Sequence, residues 1–312
     1  MSAYIIKRLL WLIPVIIGMS LILFGIMQLI PGNPAAIILG TNVSQEAVEA
    51  LNEQFGLDEP LYVQYFLMLK NFLTGELDSI YYGEKVITLV KSRLAATVEL
   101  GLFSLVIAVF IAIPTGLIAA VKKDSLFDLL SMFIATIGIS VPAFFTGIVF
   151  IYLFSVYFPI FPSSGYGGHI WTLSGLKHLV LPAFSLSTVM IASTSRLTRS
   201  SMLDVMKEDY LRTARSKGAA EKIVILKHAF RNALIPIITN IGNQLAMMFG
   251  GAILIESVYA WPGVGRLAVK AVEYRDQPLV FGSILVLSIL YVLVNLLVDI
   301  IYVFINPRIS YK

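Results

Sequence analysis

Three amide side chains, Asn240, Asn243 and Gln244, stand at i, i+3 and i+4 in an apolar stretch, a spacing that puts them on one helix face. Amides donate and accept, so they can hydrogen-bond a peptide backbone whatever side chains that peptide carries. They can equally tie one membrane helix to another, at about 0.6 kcal/mol per bond. Other chemistries are absent from the sequence. There is no cysteine, hence no disulfide, thiolate metal site or cysteine nucleophile. His169, His178 and His228 are scattered without metal-ligand spacing. No Gly-x-x-x-x-Gly-Lys-Ser/Thr loop and no nucleophile–base constellation occurs, so the chain is expected to be no enzyme and to hold no cofactor or metal.

The most charged stretch is "DYLRTARSKGAAEKIVILKHAFRNALIP", Asp209 to Pro236. Asp209 is a candidate N-cap, Tyr210 to Lys217 contain no helix breaker, and Gly218 suits the left-handed residue that ends a helix. Beyond it, Ile223, Leu226, Phe230 and Leu234 predict a second amphipathic helix running towards Pro236 and the fifth span. A helix, a glycine corner and a helix can transmit a push, which a flexible linker cannot. The alternative is a solvated basic loop that only fixes orientation.

The elements that must position these residues follow from composition. Apolar residues are 58% of 312 positions, charged residues 13%, and mean hydropathy is +0.85. A soluble domain carries about 25% charged residues, and here the apolar ones fall in runs long enough to span a bilayer. The first, Leu9 to Ile30, exceeds a signal-peptide core and ends in "PGNP", so it reads as a spanning signal anchor. Five more spans are predicted at about 97–121, 129–158 (kinked at Pro142), 179–196, 236–258 and 279–305. Alternate intervals hold 15 and 8 Lys plus Arg, the larger set including 9 in 196–235. Lysine and arginine are retained on the cytoplasmic side, so both termini and the basic loop are expected there. That bias also accounts for the net charge of +4 without nucleic acid.

The expected fold is all-α and membrane-embedded, with six spans. Its parts are 1–30 (first span), 31–96 (external loop with short helices), 97–305 (five-helix core containing loop 196–235) and the tail 306–312. In the external loop, Ser44 predicts a cap and Gly56 a stop around Val48, Leu51 and Phe55. Pro60 predicts the first turn of a helix with a Tyr65, Leu69, Phe72 stripe. Asp299 lies near the cytoplasmic end of the last span, four residues after Asn295, which suits a structural pair or snorkelling better than a proton relay.

The basic loop resembles that of importers driven by ATP-binding cassettes. Those carry Glu-Ala-Ala, three residues and Gly, with a downstream Leu-Pro; here Ala214 stands on the second alanine and Gly218 on the glycine. It departs at Arg212 and Thr213, where Glu and the first Ala would be, and at Arg231, where the proline would be. "DYLRTARSKG…HAFRNALIP" resembles the peptide branch, the B-type membrane subunit of the dipeptide/oligopeptide (peptide/nickel) family. "ESVYAWPGVGRL", "RDQP", "NLLVDIIYVFINPRI", "PGNP", "FGLDEPLYVQY" and "SRLAATVELGL" are similar to that branch in order, over nearly the whole chain.

The resemblance implies a permease subunit of a dipeptide or oligopeptide importer in a bacterial or archaeal inner membrane. The cargo alternatives are nickel chelates, glutathione or haem; a proton-coupled transporter acting alone is the rival of another class. The implied partners are a second related permease, two ATPase subunits that bind ATP and Mg, an extracytoplasmic peptide-binding protein and membrane lipid. Tyr210, Leu211, Arg212, Thr213, Ala214, Arg215, Lys217 and Gly218 would couple to the ATPase. Of these, Tyr210, Leu211 and Ala214 would form an apolar knob with a charged rim, and close packing would suit Ala214 and Gly218. Asn240, Asn243 and Gln244 would line the path. Trp261 and Arg266 would dock the external protein, or else form a turn with an interfacial tryptophan.

Overall fold

A computed structural model describes residues 2–29 and 44–305. The described residues are helical throughout, apart from turns and one isolated bridge between Asp78 and Lys85. They form two compact units, residues 1–98 with 260–292, and residues 99–259 with 293–312. The "PGNP" and "NPRI" stretches and the Asp299 side chain lie outside what is described.

In the first unit, helix α1 (Ser2–Gln28) carries the first apolar run and turns Trp11, Ile22 and Ile26 outward, as a lipid-facing helix does. Helix α2 (Gln45–Phe55) has the expected Ser44 cap, accepting from the Ala47 N–H, and stops at Gly56 with φ +64°. Helix α3 (Leu61–Thr74) starts one residue later than expected, with Pro60 at the cap position. Its buried Tyr65 holds α1: the hydroxyl lies 2.9 Å from Ser20 Oγ, and the ring meets Phe24 edge-on at 5.6 Å.

Helix α4 (Val86–Val121) begins 11 residues before the span predicted at 97. Its 36 residues make about 54 Å, against roughly 30 Å of hydrocarbon. Hydropathy marks the greasy part of a helix and is blind to its polar extension.

In the second unit, the span predicted over 129–158 is two helices, α5 (Leu126–Ser140) and α6 (Ala143–Tyr157, its end π-helical from Tyr152), bent by 106°. This corrects the expected kink. Val141 precedes a proline and takes extended dihedrals, φ −95° and ψ 126°, so the chain breaks there. Helix α7 (Leu173–Val205) runs nine residues past the span predicted to end at 196. Helix α8 (Asp209–Ser216) follows after residues 206–208. After residues 217–220 comes helix α9 (Glu221–Val258), π-helical over Val224–Ala229, which packs along α7. Pro236 lies inside this helix, so the second loop helix and the fifth span, expected to adjoin there, are one element. Helix α10 (Val264–Glu273) belongs to the first unit, and α11 (Gln277–Ile305) is the last span.

Candidate coupling corner and polar helix faces

Helix α8 is anchored by its apolar side. Leu211 is fully buried in a cluster with Ala120 of α4, Met202 of α7, and Val224, Ala229, Ala233 and Ile237 of α9, with Ala214 packed against it. Burying one leucine contributes about 1.5–3 kcal/mol, so the corner is seated on three helix ends at once. The expected knob of Tyr210, Leu211 and Ala214 is therefore corrected: Leu211 and Ala214 face inward. Tyr210, Arg212, Thr213, Arg215 and Lys217 form the outward face. The amphipathic phase also differs on α9, where Ile223 and Leu226 are about half exposed while Val224 and Ala229 are buried. The buried steps are five, four and four residues, because the π-helical turn inserts one residue into the 3.6 period.

Gly218 closes the corner. Its φ is +80°; its N–H donates to Arg215 O at 2.9 Å, and the Ala219 N–H donates to Ala214 O at 3.3 Å. That pair of bonds is the Schellman arrangement, which wants a residue with positive φ. A Cβ at Gly218 would meet nothing within 4 Å, so backbone conformation, and not the expected close packing, calls for glycine. Arg215 spans the corner to Glu221 of α9 with bonds of 3.0 and 2.9 Å. Tyr210 Oη accepts from Asn232 Nδ2 at 2.6 Å and donates to His228 O at 3.3 Å. Asp209 opens the helix but does not cap it; Glu208 takes the cap position without a side-chain bond.

The three amides divide. Asn240 Nδ2 donates to Thr194 Oγ1 of α7 at 3.2 Å, and Gln244 Nε2 donates to Ser193 Oγ of α7, so both tie α9 to α7. Asn243 is exposed. The α7 partners were not singled out in the sequence, although "IASTSRLTRSS" carries a run of small hydroxyls that signals a tight polar seam.

A second missed pair is Asp128 of α5 with Arg199 of α7, where Nη2 donates to Oδ2 at 2.7 Å and Nε to Oδ1 at 2.5 Å. Between α4, α5, α6 and α7 lies an open apolar groove of about 760 Å³, walled by Phe127, Ile134, Phe145, Phe150, Phe184 and Ile191 among others.

Trp261 is fully buried, its Nε1 donating to Ala96 O at 2.9 Å. It is neither an interfacial belt residue nor an accessible docking contact, and both sequence readings of it are corrected. The indole fixes the start of α10 against α4, and the Val264 N–H donating to Thr97 Oγ1 at 2.9 Å adds to this. Arg266 is half-buried and donates to Ala260 O at 2.6 Å. "RDQP" is also structural: Arg275 has φ +54°, and buried Asp276 caps α11 through the Leu279 N–H at 3.1 Å while accepting from Ser79 Oγ.

Comparison with known proteins bears on what this helical arrangement serves. Residues 112–311 match the model of the binding-protein-dependent transport system inner membrane component, and residues 1–85 match its N-terminal companion. The chain belongs to this family. It is a permease subunit of an ABC importer, a multi-pass inner-membrane protein. The permease is 42% identical to the dipeptide transport system permease protein DppB of Alkalihalophilus pseudofirmus, with 100% of both chains covered. It is 41% identical to the glutathione transport system permease protein GsiC of Escherichia coli K12, again over 100% of both. Among solved structures, a chain of the MetNI methionine ABC transporter in an inward-facing conformation superposes with a TM-score of 0.57 at 18% identity. That match covers 70% of this permease and 96% of the other chain, and is a likeness of fold.

Proposed function

We propose that this permease forms one membrane half of an importer for dipeptides or oligopeptides, pairs with a second related permease, and takes its power stroke at α8. Both termini and α8 lie in the cytoplasm, where the 15-to-8 division of lysine and arginine puts them. Residues 31–96 and α10 are then external, α10 on the side where an extracytoplasmic binding protein delivers cargo. Two cytoplasmic ATPase subunits, which bind ATP and Mg, meet the outward face of α8. Their closure moves α8, and with it the ends of α4, α7 and α9. The observation that carries this reading is the seat of Leu211 and Ala214, which joins one exposed basic helix to three membrane helices. Asn243 is the amide that faces the path; Asn240 and Gln244 hold its helix to α7. The relative named for glutathione supports a second reading, in which the cargo is that tripeptide. Competition between a labelled dipeptide and glutathione for uptake separates the two.

The coupling reading is tested with Gly218→Pro and Ala214→Trp. Proline cannot take φ +80° and loses the N–H bonded to Arg215; tryptophan overfills a packed position. Both variants should insert and express while uptake is lost, and ATP hydrolysis should no longer respond to the loaded binding protein. Wild-type uptake by both would reduce the corner to a topological anchor.

A further inference from the structure

At the start of α10 a small cleft of about 90 Å³ is lined by Arg93 of α4 with Pro262, Gly263, Arg266, Leu267 and Lys270. Three cations line it and no carboxylate does. Arg93 Nε is buried without a hydrogen-bond acceptor, and neither Arg93 nor Lys270 makes an ion pair among the described residues. Elsewhere the chain satisfies such groups: Arg199 has Asp128 and Arg215 has Glu221. Arg93, with an idle buried donor, lines a space the size of a carboxylate beside a second cation, an arrangement that an anion would complete.

We propose that this cleft receives a carboxylate side chain of the extracytoplasmic binding protein. The proposal rests on the orientation and the delivery partner given above. The length of α4 favours a protein carboxylate over a lipid phosphate. With Lys122 and Lys123 marking the cytoplasmic end, about 20 residues counted back fill the hydrocarbon core and bring its outer edge near Leu102. Arg93 lies nine residues further, about 13 Å beyond that edge, whereas the headgroup layer is about 5–8 Å deep on each face. The cleft therefore opens above the headgroups, where a docking protein reaches and a phospholipid does not. Trp261 and Thr97 fix α10 to α4 and so keep the cations together before the partner arrives.

The assembled transporter in nanodiscs, titrated with its own substrate-loaded binding protein and read by ATP hydrolysis, tests this. Lys270→Glu should raise the half-stimulating concentration by about tenfold or more, and Lys270→Gln and Arg93→Gln by about threefold each. Added salt should weaken the wild type more steeply than Lys270→Gln, a dependence that a merely structural lysine would not carry. These shifts should be the same in phosphatidylcholine discs and in discs containing phosphatidylglycerol. A shift confined to the anionic discs would assign the cleft to lipid phosphate and overturn the proposal, as would unchanged titrations for both Lys270 variants. Lys270→Cys, the sole cysteine of the chain, should react from outside intact cells with an impermeant thiol reagent. Reaction only from the cytoplasmic side overturns the orientation and the proposal together; external reaction with unshifted titrations overturns the proposal alone.

Discussion

Asp128 shows how this membrane domain handles a charge. Its side chain is 3% exposed, and both oxygens are taken, one by Arg199 Nε and the other by Arg199 Nη2 and the Asp124 N–H. Removing Arg199 leaves the Asp128 carboxylate buried and uncompensated, which costs about 3–5 kcal/mol, while removing Asp128 strands a partly exposed guanidinium at a smaller cost, and apolar residues in place of both cost little. Asp128→Leu and Arg199→Met should therefore each lower the thermal unfolding midpoint of the detergent-solubilised transporter. The double variant should recover most of the loss. Additive losses would mean that the two residues act separately. Residue types alone do not disclose such pairs: Asp128 and Arg199 are 71 positions apart, and nothing local links them. Gly218 was legible because a helix end has its own grammar. Leu211 was misread because an eight-residue helix gives too few turns to tell which apolar side faces in.

Among the elements, α9 carries the clearest departure from regular geometry. The five-residue step from Val224 to Ala229 is a one-residue insertion absorbed as a π-helical turn. Deleting exposed Leu226 should convert the turn to α-helix, keep Val224 and Ala229 facing the core, and leave expression near normal. Deleting Leu234, in the regular part of the helix, should rotate the preceding residues by about 100° and abolish stable expression. Equal tolerance of the two deletions, by fluorescence-detected size exclusion, would mean that the extra residue is not what sets the phase. The centres of the spans were legible because about 20 apolar residues have few other uses. Their ends were not, since α4, α7 and α9 continue into polar sequence. Nor could the prolines be ranked. Pro142 follows an extended Val141 and breaks its span, while Pro236 sits inside α9, where neighbouring groups can satisfy a freed carbonyl.

For the whole molecule, alternating access makes a prediction at Asn243. A cysteine there should react with small water-soluble thiol reagents, at a rate that differs between the resting and ATP-trapped transporter. Cysteines at Asn240 and Gln244, which sit against α7, should stay slow in both states. An unreactive Asn243→Cys would put that face in a dry contact and remove it from the path. The family was legible from motifs spread along the chain, and several of those motifs prove to be architecture. "WPGVGR" seats α10 through an indole, and "RDQP" caps α11. The seat of α10 depends on Ala96, far away in sequence, so the motif itself does not expose it; the Asp276 cap is local, and only its bond from Ser79 is remote.

Only residues 206–208 separate α7 from α8, and only 217–220 separate α8 from α9, the second gap bridged by Arg215 and Glu221. In a machine this is a joint without backlash. Displacement applied to α8 has no slack chain to take up, so it arrives at α7 and α9 nearly undiminished and at once. On the proposed coupling the same stiffness would work in reverse: a permease held by its cargo would resist a push at α8, and ATPase subunits seated there would meet that resistance as a load.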